Sequence, residues 1–188
     1  MTRESLRAQL AAMDLGERPA EGPARQRMLD LLDSEPRCFH RDAFPGHFTG
    51  SALVLSADGG RALLTHHRKL DRWLQFGGHC DGEEDVLGTA RREAWEESGI
   101  EGLVVASERP FDLDIHPIPA IGDEPAHEHY DLRWVLIAPE GAVPVCSSES
   151  RELRWFTPDE GAALPADGGL LRMVEKWRAL LARRGHGQ

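Results

Sequence analysis

Apolar and polar positions alternate in two rhythms along this chain, and the change of rhythm outlines its elements. Leu6, Leu10 and Met13 recur at helical spacing and predict a short helix within residues 1–13. Glycines and prolines between Gly16 and Pro23 interrupt it. Met28, Leu29, Leu31 and Leu32 predict a second helix over 24–33, ended by Pro36. After Gly46 the period is that of strands. Residues 48–56 read as β, Asp58-Gly59-Gly60 as a turn and 61–65 as the returning strand, together a hairpin. A Gly-rich loop over 77–82 leads into a helix over 85–98, with Asp85 as N-cap and Gly99 as C-terminal stop. Leu87, Ala90 and Ala94 are its expected buried stripe. Strands are expected at 103–107, 111–116, 129–138 and 153–156, with Trp155 and Phe156 in the core. A last helix spans 170–183, with Leu170, Leu171, Val174, Trp177, Leu180 and Leu181 on its apolar side. This order predicts an α+β fold, a mixed β-sheet flanked by helices. Residues 1–45 read as an N-terminal helical extension and 46–188 as the main domain, which includes the C-terminal helix.

Composition narrows the function. The 188 residues suit one domain with extensions, and 40% hydrophobic residues suffice for a core. Twenty-two basic against 32 acidic residues leave a net charge of −10, which argues against a protein that coats nucleic acid. A nucleotide substrate stays open, because a few arginines and a metal ion hold a phosphate locally. The longest apolar run, Trp134 to Ala138, is far below the roughly 20 residues of a membrane helix. Met1-Thr2-Arg3-Glu4 does not read as a signal peptide, and Cys38, Cys80 and Cys146 read as reduced thiols, so a cytoplasmic location is expected.

The chemistry concentrates between residues 78 and 100. Gly78, Glu84, Arg92, Glu93, Glu96, Glu97, Gly99 and Ile100 are spaced G-x5-E-x7-R-E-U-x-E-E-x-G-U, where U is apolar. At ordinary residue frequencies seven fixed letters match a given start with probability ~10⁻⁸. Glu93, Glu96 and Glu97 fall within roughly a 100° arc of one helix. Three carboxylates so close repel one another unless a cation neutralises them. All-oxygen ligands favour a hard ion, Mg²⁺ or Mn²⁺, which bridges phosphate oxygens and activates water. Taken alone, such acids more often form a solvated helix face, and it is the surrounding fixed letters that tip the balance.

This segment resembles the Nudix box with every fixed position filled, although Ala94 stands where a larger aliphatic residue is commoner in the family. The resemblance implies a Nudix-type α/β/α sandwich. It implies metal ligation by Glu93, Glu96 and Glu97, with Gly77 or Gly78 adding a backbone ligand. It also implies a structural role for Glu84 paired with Arg92, and for Gly99. Glu97 or Glu93 is then the expected general base, with Arg92 beside it, while some enzymes of this kind place the base in the loop that here carries Glu149 and Glu152. The flanking pattern is similar to a bacterial Nudix subgroup. The implied activity is hydrolysis of a phosphate or pyrophosphate linkage in a nucleoside diphosphate derivative or related nucleotide. One alternative is an isopentenyl-diphosphate-type isomerase on the same fold, which Cys80 and the histidines keep open. Another is a non-catalytic nucleotide-sensing domain. The partner expected is a small-molecule nucleotide or diphosphate, with no nucleic acid and no membrane, and the terminal helices are candidates for docking two copies as a homodimer.

A second constellation follows the box. Residues 111–116 and 127–134 each alternate apolar and polar positions. Asp112, Asp114 and His116 therefore share one face of the first strand, and His127, His129, Asp131 and Arg133 one face of the second. Paired as a hairpin, they make a second metal site, favouring Mn²⁺ or Zn²⁺, or a phosphate and sugar grip. Arg133, His129, His127, His116 and Asp114 are the expected substrate contacts; an ordinary solvated strand face is the plain alternative. His66, His67, Arg68, Lys69 and Arg72 are a further basic stretch that reads equally as an outer-phosphate contact or a solvated loop.

Overall fold

The computed structural model describes every residue except 17, 121, 123, 124 and 186–188. The order of elements is α1 (Arg3–Ala11), α2 (Gly22–Ser34), β1 (Gly46–Leu55), β2 (Ala62–His67), β3 (Arg72–Leu74), β4 (Phe76–His79), α3 (Val86–Ser98), β5 (Val104–Val105), β6 (Asp112–Ile118), β7 (His127–Ile137), β8 (Ser150–Phe156), α4 (Pro158–Ala162) and α5 (Gly168–Gly185). The fold is α+β with a mixed sheet, as expected. Strands β3 and β4 and helix α4 were not anticipated. The first two are three and four residues long, too short to display a period, and β4 occupies what reads as the Gly-rich loop.

Two compact units divide the chain, and β1, β4, α3 and β7 contribute residues to both. The first comprises Met1–Ser51, Gly77–Ala90 and Ser107–Trp134. Here β6 and β7 form the expected antiparallel hairpin, in the register Asp112↔Arg133, Asp114↔Asp131, His116↔His129 and Ile118↔His127. Leu6 and Leu10 of α1 and Met28, Leu31 and Leu32 of α2 are buried, so the helical stripes read from the sequence are the packed ones. Thr2 and Ser5 close a capping box at the start of α1. Glycines permit two close approaches. A side chain at Gly50 would meet the Val86 carbonyl and the Ala90 amide of α3. One at Gly46 would lie 2.5 Å from the Glu128 carbonyl of β7.

The second unit comprises Ala52–Phe76, Arg91–Ala106 and Val135–Gln188. In it β2 pairs with the end of β1, with β3 and with β8, all antiparallel, and β5 pairs with the end of β7. Trp177 of α5 is buried and donates its indole N–H to the Gly59 carbonyl at 2.8 Å, fixing the helix to the β1–β2 turn. Phe156 is buried as expected, whereas Trp155 is only half-buried. No helix among the described residues is long and apolar enough to cross a membrane.

Candidate functional site

Helix α3 carries the box glutamates. Asp85 accepts a hydrogen bond from the Gly88 amide at 3.0 Å, the N-cap expected of it. At the other end Gly99 adopts φ +66°, the left-handed stop that a side chain would strain. The buried stripe is Val86, Ala90 and Ala94, with Leu87 only half-buried. The small Ala94 side chain is fully buried, and its carbonyl accepts the Ser98 hydroxyl.

The three carboxylates differ in environment. Glu97 is buried, Glu93 half-buried and Glu96 exposed. Arg92 donates to Glu93 at 2.7 Å and reaches Glu96 at 3.5 Å. Burial pushes the Glu93 carboxyl above its ordinary pKa; Arg92 opposes the shift, and Glu96 and Glu149 add to it. Glu149 thus belongs to the same patch of charge in the second unit. Its backbone carbonyl accepts the Arg68 amide at 2.8 Å, and the Arg68 guanidinium is bonded to the Ser148 and Ser150 carbonyls. Arg68, from the stretch that reads equally as an outer-phosphate contact or a solvated loop, ties down the loop that presents Glu149. Of the expected structural pair, Glu84 accepts the Arg3 amide at 2.9 Å, and Arg92 makes ion pairs with Glu93 and Glu96. Gly78 lies on β4, and Gly77 touches Ser51 so closely that any side chain there would collide with it. Cys80 is buried.

The polar face of the β6–β7 hairpin splits in two. At one end Arg133, 3% exposed, donates through Nε to Asp131 at 2.6 Å, through Nη2 to Asp114 at 2.7 Å and through Nη1 to Asp112 at 3.2 Å. Burial disfavours the guanidinium charge, but Asp131, Asp114 and Asp112 outweigh it and raise the pKa of Arg133. Thr49 and Ser51 donate to the other oxygen of Asp131 at 3.0 and 2.8 Å. Each of the three guanidinium nitrogens of Arg133, which with Asp114 is an expected substrate contact, thus donates to a carboxylate of the hairpin.

At the other end the histidines gather. His116, His127 and His129 are joined there by His79 from β4 and by His47 from β1, with ring centroids 4.9 to 5.4 Å apart in successive contacts. Burial lowers the pKa of His129, and the surrounding His47, His79, His116 and His127 lower it further. His47 is lowered to about 4, first by burial and then by His79 and His127. His47 was not singled out from the sequence. The signal was present as alternation, because His47, Thr49 and Ser51 are the polar positions of the first half of β1 and all three are buried.

Comparison with known proteins fits this arrangement. Residues 47–177 match the NUDIX domain. The chain is 29% identical over 133 residues to the m7GpppN-mRNA hydrolase NUDT17 of Homo sapiens, a match covering 62% of this chain and 40% of that protein. The chain therefore spans less than half the length of that relative. Among solved structures it is similar to a C. elegans Ap4A hydrolase binary complex, with TM-score 0.59 and 19% identity over 72% of this chain and 98% of the other. It is also similar to a Nudix hydrolase from M. smegmatis, RenU, with TM-score 0.55 and 24% identity over 73% and 86%. These two likenesses speak for the fold. With an intact box on α3 and the domain matched over residues 47–177, the chain belongs to the NUDIX domain family.

Proposed function

We propose that this chain is a divalent-metal-dependent hydrolase that cleaves a pyrophosphate linkage in a nucleoside diphosphate derivative or related nucleotide. The observation that carries the reading is the graded carboxylate set on α3, with Glu97 buried, Glu93 half-buried beside Arg92, and Glu96 exposed. Oxygen donors with surplus negative charge fit a hard cation. Mg²⁺ or Mn²⁺ held there would neutralise phosphate charge and make a bound water more acidic. Glu93 holds its proton more readily than an ordinary glutamate, which suits a group that takes a proton from the attacking water. Glu97 is the second choice for that role. Arg92 reduces the repulsion within the set. Water adds to phosphorus, the bridging P–O bond breaks, and two phosphate-ended products leave.

The names of the relatives support the substrate class, since m7GpppN-mRNA and Ap4A both join nucleosides through a phosphate chain. Burial of Cys80 favours this reading over an isomerase that needs an accessible thiol. The test is product release from nucleoside diphosphate sugars, dinucleoside polyphosphates and nucleoside triphosphates with Mg²⁺ or Mn²⁺. Turnover is expected to need the metal and to fall by about 10²-fold or more in Glu97→Gln, with an unchanged circular dichroism spectrum. A folded protein that binds nucleotide saturably but turns none over would move the reading to a sensing domain.

A further inference from the structure

The histidine end of the β6–β7 hairpin lies outside the glutamate set, and the hydrolysis described above does not call on it. His47 is fully buried, and neither of its ring nitrogens makes a well-formed hydrogen bond, although the Ala43 backbone lies close enough to favour its charged form. A buried imidazole has one N–H and one lone pair to satisfy, and leaving them unmet is costly. Nitrogen atoms of His47, His127 and His129 lie within 4.8 Å of one another. The Nε2 atoms of His127 and His129 are 3.3 Å apart. That is about the edge of a tetrahedron of nitrogens around an ion with bonds of roughly 2.0–2.1 Å.

The second ring nitrogen of His127 strengthens the case. Nδ1 lies 2.9 Å from the Pro125 carbonyl, which can only accept, so Nδ1 carries the proton. In the neutral ring the Nε2 lone pair then points at the cluster. A backbone carbonyl behind a histidine is the usual support of a metal-bound imidazole. Position 46 is glycine, and its lack of a side chain lets β1 come close enough to β7 for His47 to join the pair. Of the aspartates on the same strand face, Asp112 and Asp131 are engaged with Arg133, and Asp114 is shared between Arg133 and His116 Nδ1 at 3.4 Å, so the donors of the three-histidine group are nitrogen.

We propose that His47, His127 and His129 form a binding site for one divalent transition-metal ion of the zinc class, separate from the box glutamates, with His79 or His116 beside the remaining coordination position. Three imidazoles select zinc or cobalt over magnesium, the reverse of what the glutamates select. The ion cross-links β1 to β7, and His79 lies within the box sequence itself, directly after Gly78.

The test uses the untagged full-length chain, stripped with chelator, reloaded with Zn²⁺ and desalted in excess Mg²⁺, which occupies the glutamates. One zinc per chain is expected to remain, with a higher melting temperature than the stripped protein. Zinc-edge X-ray absorption of the wild-type chain should show a nitrogen shell with imidazole scattering. Zinc should be lost in His129→Asn and in His47→Asn and kept in Glu96→Gln. The proposal is overturned if no zinc is retained, if the absorption shell is oxygen without imidazole, or if both histidine variants hold zinc as well as the wild type. The wild-type absorption spectrum decides the matter even if a histidine variant does not fold.

Discussion

Replacing Arg133 with Met tests the hairpin directly. Arg133 is 3% exposed, and two of its three carboxylate partners, Asp112 and Asp131, are 0% and 2% exposed. Methionine fills most of the volume but supplies no charge. Removing one partner of a buried ion pair costs about 3–5 kcal/mol, because the remaining charges are stranded. Thr49 and Ser51 still donate to Asp131, and Asp114 is partly open to water, so we expect about 3–4 kcal/mol. For a chain of this size that is a fall in melting temperature of roughly 6–16 °C. Acid should soften the loss. Stranded carboxylates hold protons in the folded variant at pH values where the unfolded chain has released them, so the folded state binds more protons and the variant's stability rises as pH falls. Urea melts of both proteins at pH 7.5 and pH 5 would measure this. A loss under about 1 kcal/mol at pH 7.5, or a loss of equal size at both pH values, refutes the buried network. Unchanged stability together with a raised KM would return Arg133 to the substrate.

Other perturbations follow from the same packing. Gly50→Ala places a methyl group against the Val86 carbonyl and 3.0 Å from the Ala90 amide, so β1 and α3 must separate; about 2 kcal/mol, or 4–8 °C, is expected in a thermal melt, and an unchanged melt would mean there is room. Trp177→Phe keeps most of the ring but orphans the Gly59 carbonyl, for about 1–2 kcal/mol, against about 3–5 kcal/mol for Trp177→Ala; an unchanged denaturant melt for Trp177→Phe would deny the hydrogen bond its role. In metal-free protein, His47 has a folded pKa near 4 against an ordinary 6.5. Between those values the unfolded chain binds the extra proton, so stability falls as pH drops from about 6.5 to about 4 and levels off below. The His47→Gln chain should lose part of that slope in pH-dependent melts, and an identical slope would assign it to other groups.

Legibility tracked the length and regularity of each signal. The stripes of α1 and α2 were plain because each repeats over successive turns, and the Asp85 and Gly99 caps because their backbone requirements are local; α5 buries Leu170, Val174 and Trp177 as expected but leaves Leu180 exposed and buries Met173 instead. The common polar face of β6 and β7 followed from alternation, since a slip of one residue would turn Asp112, Asp114 and His116 to the wrong face, whereas the register itself came from the paired strands. Strands β3 and β4 were missed for lack of length. Leu87 was taken for the buried position and Val86 is the buried one, because in the first turn a step of one residue swings the side chain by about 100°.

The sequence by itself determined the family, through eight residues between Gly78 and Ile100 whose spacing chance does not produce, and it determined the α+β class through the switch from helical to strand period. Both are properties of neighbours along the chain. What only the tertiary structure decided is how polar residues on different strands divide their work. Arg133 reads as a polar residue of one strand, and only the paired strands show Asp112 of the facing strand and Asp131 beside it closing around it. His47 looks like one of three alternating polar residues of β1 until the fold brings it to His127, eighty positions further on. Burial, charge pairing and donor geometry depend on distances in space, and residues far apart in sequence set those distances only once the strands have paired.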